Sequence, residues 1–231
     1  MENSELIVML TYNDFTVKNA FEVFEECKDT NVKYWGFKDK GISLEEMVSL
    51  YNYMKQCGKN TVLEIVEYEE KQCLEGAYLA KVCNCDILMG TIFYESVNDY
   101  CKKHNIKYMP FAGNISNRPS VLHGEIEEII KEANNYLDTG IHGFDLLGFR
   151  YIGNATNLIS KFVANIDIPV CVAGSIDSYE RLEFIKSISP WGFTIGSAFF
   201  DHKFGDTFKA QIDKVYNYLN DWSNLHFIKK T

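Results

Sequence analysis

Long apolar runs and blocks of positive charge are both missing from this sequence of 231 residues. No run approaches the roughly 20 apolar residues that cross a bilayer, and the first five residues, Met-Glu-Asn-Ser-Glu, are acidic where a secretory signal is basic. The formal net charge is −9, whereas nucleic-acid-binding domains carry basic patches. We therefore expect a cytoplasmic protein with no membrane or nucleic-acid partner.

The sequence contains seven cysteines, an odd number, and their irregular spacing matches no disulfide framework. Together with the missing signal, this predicts reduced thiols rather than disulfides. Cys83 and Cys85 are too close in sequence for a CxxC zinc pair, and no histidine has partner ligands at metal spacing. We expect no cofactor and no metal, with one option left open, a divalent cation held by Glu64, Glu67 and Asp145.

Short apolar runs alternate with longer amphipathic runs along the chain, which indicates βα units and a parallel sheet. Eight such units fit the length of a (β/α)8 barrel, which is typically about 250 residues, so we predict one α/β domain over residues 1–231. The predicted strands are Leu6–Leu10, Val32–Phe37, Thr61–Val66, Asp86–Met89, Ile106–Phe111, Gly143–Leu147, Ile168–Ala173 and Gly192–Ile195. The predicted helices are Val17–Cys27, Leu44–Cys57, Lys71–Val82, Ser96–His104, Glu125–Leu137, Ala155–Ala164, Tyr179–Ile188 and Thr207–Trp222.

The last two predicted strands each end in a Gly-Ser pair, Gly174-Ser175 and Gly196-Ser197. Glycine has no Cβ, so an anion can approach the backbone N–H groups closely, and serine adds a hydroxyl donor. Two such corners, one strand–helix unit apart, can hold one phosphate between them. The alternative interpretation is that both glycines only make tight turns in some other α/β protein.

The segments Ala173–Ile176 and Ile195–Ala198, which contain these two corners, resemble turns of the ribulose-phosphate-binding barrels. That superfamily includes isomerases of histidine and tryptophan biosynthesis, pentulose-phosphate epimerases and related decarboxylases. The resemblance is limited to residues 168–200. It implies a (β/α)8 TIM barrel with a phosphate site at the C-terminal ends of strands 7 and 8, and a phosphorylated small ligand. It implies no particular reaction.

Charged residues within the predicted strands are candidates for chemistry, because the outer face of a barrel strand packs on helices and must be apolar. Lys38 follows strand 2, and Glu64 lies among apolar residues in the neighbouring strand 3. A buried carboxylate needs a partner, which predicts a Lys38–Glu64 pair that supplies an electrostatic stabiliser and a general base. If burial lowered its pKa, Lys38 would instead serve as a Schiff-base nucleophile. The alternatives are a structural ion pair and a surface turn in which Asp39 pairs with a lysine.

A second lone carboxylate, Asp145, lies in strand 6, and Arg150 follows that strand. Strands 3 and 6 lie on opposite sides of the predicted barrel, so Glu64 and Asp145 are expected to flank one substrate. The alternative for Asp145 is a hydrogen-bonded residue of the barrel interior. The planar guanidinium of Arg150 suits a carboxylate or phosphate. We predict catalytic roles for Lys38, Glu64 and Asp145 and a ligand contact for Arg150.

Polar residues in the loops after strands 1, 4 and 5 complete the candidates. Asn114 is a predicted ligand contact in the polar loop Gly113–His123, which is either a lid over the site or a disordered connector. Thr91 either donates to the ligand or caps a helix. Asn13 and Asp14 either cap the first helix, since Asn and Asp are preferred N-caps, or face the site.

Three functions are compatible with these residues. The leading hypothesis is an enzyme that acts on a small phosphorylated sugar or acid by proton transfer or carbon–carbon chemistry, of the isomerase, epimerase, aldolase or decarboxylase type. The alternatives are a sensor or regulatory barrel that binds a phosphorylated metabolite without converting it, and a barrel that has lost its phosphate site. Trp222 and Phe227 either cover the bottom of the barrel or contact a second copy in a homo-oligomer.

Overall fold

The computed structural model describes residues 3–221. Its framework is eight strands, β1 to β8, that alternate with helices along the chain. The strands are β1 (Glu5–Met9), β2 (Tyr34–Lys38), β3 (Asn60–Ile65), β4 (Ile87–Gly90), β5 (Lys107–Met109), β6 (Phe144–Leu146), β7 (Val170–Val172) and β8 (Gly192–Ile195). Trp222 and Phe227 lie outside the described residues.

The eight strands form a parallel barrel. Parallel ladders join them in the order β6-β7-β8-β1-β2-β3-β4-β5. The ring closes between β5 and β6, where the His142 N–H donates to the Tyr108 carbonyl and the Asp145 N–H donates to the Pro110 carbonyl, each over 2.9 Å. The predicted (β/α)8 barrel is thus confirmed.

Helices cover the outside of this barrel. Within residues 3–221 they are α1 (Ala20–Cys27), α2 (Leu44–Gln56), α3 (Glu70–Val82), α4 (Glu95–Lys103), α5 (Ile126–Tyr136), α6 (Ala155–Asn165), α7 (Tyr179–Ile188), α8 (Ser197–Phe200) and α9 (Phe208–Asn220). In this part of the chain no helix combines the length and apolarity that spanning a membrane requires.

Side chains alternate between two apolar layers, as the two-residue period of a strand requires. In β1, Leu6 and Val8 belong to the layer between the strands and the helices, whereas Ile7 and Met9 belong to a separate cluster inside the barrel. The other buried members of the interior cluster are Val62, Ile87, Met89, Met109 and Cys171. The barrel is therefore a packed core, and a ligand can enter only at its rim.

Local signals in the sequence set several helix ends. Ser43 and Glu46 form a capping box at the start of α2, in which each side chain bonds the backbone N–H of the other residue. Gly58 and Gly140 follow helical segments with a left-handed φ of 75° each, as C-terminal stops do. The bounds of α7 and β8 match the prediction, whereas β5 is shorter than predicted.

Three short elements at the C-terminal rim are not predicted by the sequence pattern. The first hairpin pairs Thr11–Tyr12 with Phe15–Thr16 after β1, and the second hairpin pairs Asn114–Ser116 with Val121–His123 after β5. The short helix α8 follows β8. The polar loop after β5 is therefore a structured hairpin and not a disordered connector.

Candidate functional site

A cavity of about 260 Å³ opens at the C-terminal ends of the barrel strands. Both Gly-Ser corners reach it, as do the ends of β2 and β3 and both rim hairpins. Its polar lining residues are Thr11, Asn13, Asp14, Lys38, Glu64, Ser120, Arg150, Gly174, Ser175, Asp177, Thr194, Gly196, Ser197, Asp201 and Lys203. The structure thus brings the predicted anion corners and the Lys38–Glu64 pair to one cavity.

The corner after β7 has the backbone shape of an anion cradle. Gly174 and Ser175 have left-handed φ values of 84° and 57°, and turns of this kind direct successive N–H groups to one side. Within the described residues, none of the N–H groups of residues 174–177 donates to a backbone carbonyl. These donors and the Ser175 hydroxyl are therefore free for a ligand.

The Arg150 side chain packs against Gly174 of this corner. From this position it can make the predicted contact with a ligand in the cavity. A Cβ built on Gly174 would lie 2.9 Å from the Arg150 Cγ, so only glycine leaves room for this arginine. Among residues 3–221, the guanidinium has no hydrogen-bond or ion-pair partner. An unpaired guanidinium beside free N–H donors suits a phosphate oxygen.

Lys38 lies between two carboxylates on the other side of the cavity. Its Nζ is 2.6 Å from the Asp14 Oδ1 and 3.5 Å from the Glu64 Oε1. Lys38 and Glu64 are register partners on β2 and β3, so their side chains project from the same face of the sheet. Only 11% of the Lys38 side chain and 14% of the Glu64 side chain are exposed. The predicted pair is present, and Asp14 is an additional partner.

The charges around Lys38 keep it protonated. Burial acts to lower the pKa of the ammonium, but the Glu64 charge and the hydrogen bond to Asp14 outweigh it, so the pKa of Lys38 is raised. For Asp14, the hydrogen bond and charge of Lys38 outweigh the opposing effect of burial, so the carboxyl pKa is lowered. The option of Lys38 as a Schiff-base nucleophile requires a lowered pKa, and the surroundings of Lys38 raise its pKa instead.

Of the two roles predicted for Asn13 and Asp14, the helix cap is wrong, whereas both residues face the cavity as the other interpretation expected. The N-cap of α1 is Asn19, and no side chain caps that helix end. Asn13 and Asp14 instead form the turn of the first hairpin, with left-handed φ values of 49° and 66°. Sequence preference alone cannot separate the two roles, since Asn and Asp favour both N-caps and left-handed turns.

Asp145 is fully buried and does not line the cavity. Neither carboxyl oxygen has a hydrogen-bond partner among the described residues. Burial raises the pKa of this carboxyl well above 3.8 and the Glu64 charge raises it further, whereas the charges of Lys38 and Arg150 oppose these effects. Asp145 is therefore a buried carboxyl with a raised pKa, and because it does not line the cavity, the expectation that it flanks the substrate opposite Glu64 is not met by its placement.

Two predicted ligand contacts lie away from the cavity. The Thr91 hydroxyl is 2.7 Å from the Tyr108 hydroxyl inside the core, and α4 begins after Tyr94, so Thr91 neither reaches the cavity nor caps that helix. Asn114 is exposed at the open end of the second hairpin, where it pairs with His123. That hairpin instead contributes Pro119 and Ser120 to the lining.

The optional cation site does not assemble. Glu67 accepts hydrogen bonds from Lys40 over 2.9 Å and from Arg118 over 2.7 Å, which joins the second hairpin to the end of β3. Asp145 is buried below Glu64. Within residues 3–221, no three His, Cys, Asp or Glu side chains come together as metal ligands.

Sequence reasoning missed several residues of the lining. Asp177 follows the first Gly-Ser corner by two residues, and Asp201 and Lys203 follow α8. Their proximity in sequence to the two corners was a usable signal. Asp14 was a candidate to face the site, but its contact with Lys38 was not predicted, because that contact depends on how the first hairpin folds over the rim.

Comparisons with known proteins agree with this architecture. No family model matches the sequence, and no curated protein matches it either. Orotidine 5'-phosphate decarboxylase from Pyrococcus horikoshii is similar in structure, with a TM-score of 0.69 and 12% identity over 94% of this chain and 99% of that chain.

Two further solved structures extend the comparison. Tryptophan synthase from M. tuberculosis has a TM-score of 0.66 and 11% identity over 95% of this chain and 94% of that chain. A glycerol uptake operon antiterminator regulatory protein from Listeria monocytogenes has a TM-score of 0.57 and 13% identity over 85% of this chain and 94% of that chain. Identities this low establish a shared fold alone. The chain thus has the fold of the ribulose-phosphate-binding (β/α)8 barrels that its Gly-Ser corners resemble.

Proposed function

We propose that this protein is an enzyme that converts a small phosphorylated sugar or acid by proton transfer or carbon–carbon chemistry, as an isomerase or lyase. One observation carries the proposal. A single cavity contains both an unpaired guanidinium beside two Gly-Ser corners and, among its other lining residues, a lysine held between two carboxylates. The guanidinium and the Gly-Ser corners suit the binding of a phosphate group. The lysine and its carboxylates suit proton transfer and the stabilisation of negative charge on the substrate.

The anchoring half binds the phosphate. Free N–H groups after β7, the hydroxyls of Ser175 and Ser197, and the Arg150 guanidinium supply donors from several directions. Charge-assisted hydrogen bonds of this kind are roughly twice as strong as neutral ones. Binding energy from a group that does not react can then orient the rest of the ligand toward Lys38.

The reacting half has a base and a fixed positive charge. The Lys38 ammonium stabilises negative charge that develops on a substrate oxygen, as in an enolate. Glu64, at the edge of the cavity, takes or returns a proton at the neighbouring carbon. This chemistry requires no cofactor.

The composition of the lining favours a small aliphatic ligand. Within the described residues, no aromatic side chain lines the cavity, so a nucleobase would find no ring on which to stack. The polar groups instead suit hydroxyl and carbonyl oxygens. The structural neighbours named above include enzymes, which supports this general type of function.

The test is turnover of a panel of pentulose and hexose phosphates by the protein and by Glu64→Gln. Loss of a general base lowers the rate by about 10²–10⁴-fold, so the variant should lose turnover and keep ligand binding. Glu75→Gln is the control, because Glu75 lies on the outside of α3 and is 59% exposed. Absence of turnover of every member of the panel would contradict the enzyme proposal.

A sensor that binds a phosphorylated metabolite without converting it is the second candidate. The likeness to an antiterminator regulatory protein favours it. A sensor would bind a phosphorylated metabolite tightly and form no product, and Glu64→Gln would bind that metabolite as tightly as the unmodified protein. If phosphorylated metabolites give no thermal protection at all, the barrel has lost the phosphate site. A cytoplasmic location, the absence of a nucleic-acid partner and a homo-oligomeric state stay predictions.

A further inference from the structure

The first hairpin places its turn directly at the cavity. Thr11 pairs with Thr16 and Tyr12 with Phe15, which leaves Asn13 and Asp14 as a two-residue turn with positive φ at both positions. This is the type I′ geometry that suits the twist of a hairpin. The hairpin is bonded to the end of β2, because the Thr16 hydroxyl donates to the Lys38 carbonyl over 2.7 Å.

The turn contacts both halves of the proposed site. On one side, Asp14 accepts a 2.6 Å hydrogen bond from the Lys38 ammonium. On the other side, the Asn13 N–H donates to the Ser197 Oγ over 3.3 Å. Ser197 belongs to the second Gly-Ser corner. Two adjacent residues therefore connect the lysine to the anion corner across the cavity.

The Ser197 hydroxyl can serve the turn and a ligand at the same time. A hydroxyl has one donor and two acceptor positions, so Ser197 can accept from Asn13 while it donates to a phosphate oxygen. Donation to an anion makes the hydroxyl oxygen a better acceptor, since linked hydrogen bonds polarise one another. A bound phosphate would thus strengthen the contact that holds the turn in place.

We infer that Asp14 is a positioning residue that couples phosphate binding at Ser197 to the placement of the Lys38 ammonium. The inference rests on the proposed phosphate site. Asp14 holds the turn over the cavity through Lys38, and the turn holds Ser197 in the orientation that a phosphate needs. Phosphate binding in return fixes Asp14 on Lys38, because coupling between two sites is reciprocal.

A positioning role of Asp14 and a simple charge effect predict opposite changes in phosphate affinity when the Asp14 carboxylate is removed. Asp14 is a negative charge in a cavity that is proposed to bind an anion, so charge alone predicts tighter phosphate binding when the carboxylate is removed. Positioning predicts weaker binding. Asp201 is the matched control, because it lines the same cavity and its carboxylate forms no ion pair with any residue from 3 to 221.

The experiment measures the dissociation constant of inorganic phosphate for the whole protein by calorimetry and by thermal shift at low ionic strength. Asp14→Gly removes the carboxylate and leaves Asn-Gly, a favoured sequence for this turn, so the hairpin is retained. We expect about five- to tenfold weaker phosphate binding, at the lower end of typical coupling factors. Asp201→Asn should bind phosphate as tightly as the unmodified protein or more tightly. Asp14→Asn, which keeps the side-chain shape, should weaken binding in the same direction.

A double-variant cycle provides a readout that a merely structural role would not move. In the Ser197→Ala background, Asp14→Gly should cause no further loss of phosphate affinity, because the link through Asn13 is already broken. Unchanged or tighter binding in Asp14→Gly and Asp14→Asn would overturn the inference and leave the phosphate site standing. If the unmodified protein does not bind phosphate, both the proposed site and the inference are wrong.

Discussion

Lys38 and Glu64 are register partners on neighbouring strands, and their side chains form an ion pair of 3.5 Å at the mouth of the barrel. Paired positions in adjacent parallel strands project to the same face, so the strand register itself creates this pair. Asp14 reaches the same ammonium from the first hairpin at 2.6 Å. The fold therefore holds a charged lysine in the same cavity as the proposed phosphate corner.

The reactivity of Lys38 should increase when Glu64 loses its charge. Glu64 is the main cause that raises the pKa of Lys38, and each unit by which that pKa falls increases the free amine about tenfold. We expect Glu64→Gln to acylate at Lys38 up to about tenfold faster at pH 9, measured by peptide mass spectrometry. Glu67→Gln is the control, because Glu67 pairs with Lys40 and Arg118. Equal Lys38 rates in both variants would contradict this account.

Arg150 should contribute to phosphate affinity and not to stability. Its guanidinium has no partner among the described residues, and a charge-assisted hydrogen bond contributes about 1.5–3 kcal/mol. We expect Arg150→Gln to bind inorganic phosphate about 10–100-fold more weakly, with an unchanged melting temperature in the absence of phosphate. Arg118→Gln, which removes a partner of Glu67, should keep phosphate affinity. A large loss of stability in Arg150→Gln would indicate a structural role instead.

Comparing Gly174→Ala with Gly58→Ala separates the effect of backbone strain on stability from the effect of a changed site on phosphate affinity. Both have left-handed φ values, 84° and 75°, so alanine at either position should cost about 1–2 kcal/mol of unfolding free energy. A Cβ at Gly174 would displace Arg150, whereas a Cβ at Gly58 has nothing within 4 Å. We expect only Gly174→Ala to lose phosphate affinity, measured by calorimetry beside urea denaturation of both variants. Phosphate binding that survives in Gly174→Ala would argue against the corner as the anion site.

Asp145 should make the protein less stable as the pH rises. Burial raises the pKa of Asp145 in the folded state well above 3.8. The protonated side chain is therefore tolerated fully below about pH 3.8, where the unfolded chain is protonated too. As the pH rises from there toward the folded pKa, the free energy of unfolding should fall by about 1.4 kcal/mol per pH unit. Asp145→Asn does not titrate.

The free energy of unfolding of Asp145→Asn relative to that of the unmodified protein should therefore increase from pH 4.5 to pH 7, measured by urea denaturation at each pH. Asp167→Asn, which removes an exposed carboxylate, controls for the loss of one surface charge. A difference in unfolding free energy between Asp145→Asn and the unmodified protein that does not change with pH would contradict the raised pKa of Asp145.

The sequence alone was sufficient to predict the fold and the place of the two Gly-Ser corners, whose anion-binding role stays a proposal. Eight apolar runs separated by amphipathic runs indicate eight βα units, and the resemblance of the Gly-Ser corners to those of phosphate-binding barrels favours a closed barrel over an open sheet. The Gly-Ser pairs begin within two residues of the ends of β7 and β8, so their position at one rim follows from strand order. The Lys38–Glu64 pair was also predictable, because adjacent parallel strands bring the ends of β2 and β3 together.

Tertiary structure decided which carboxylates reach the cavity. In the sequence, Glu64 and Asp145 look alike, each a lone acid in an apolar strand, yet Glu64 lines the cavity and Asp145 is fully buried beneath it. The depth of a residue in a barrel depends on the stagger of all eight strands, which no local pattern records. Asp14 illustrates the same limit, since Asn-Asp suits a helix cap and a hairpin turn equally well, and only the path of the chain over the rim brought it to Lys38.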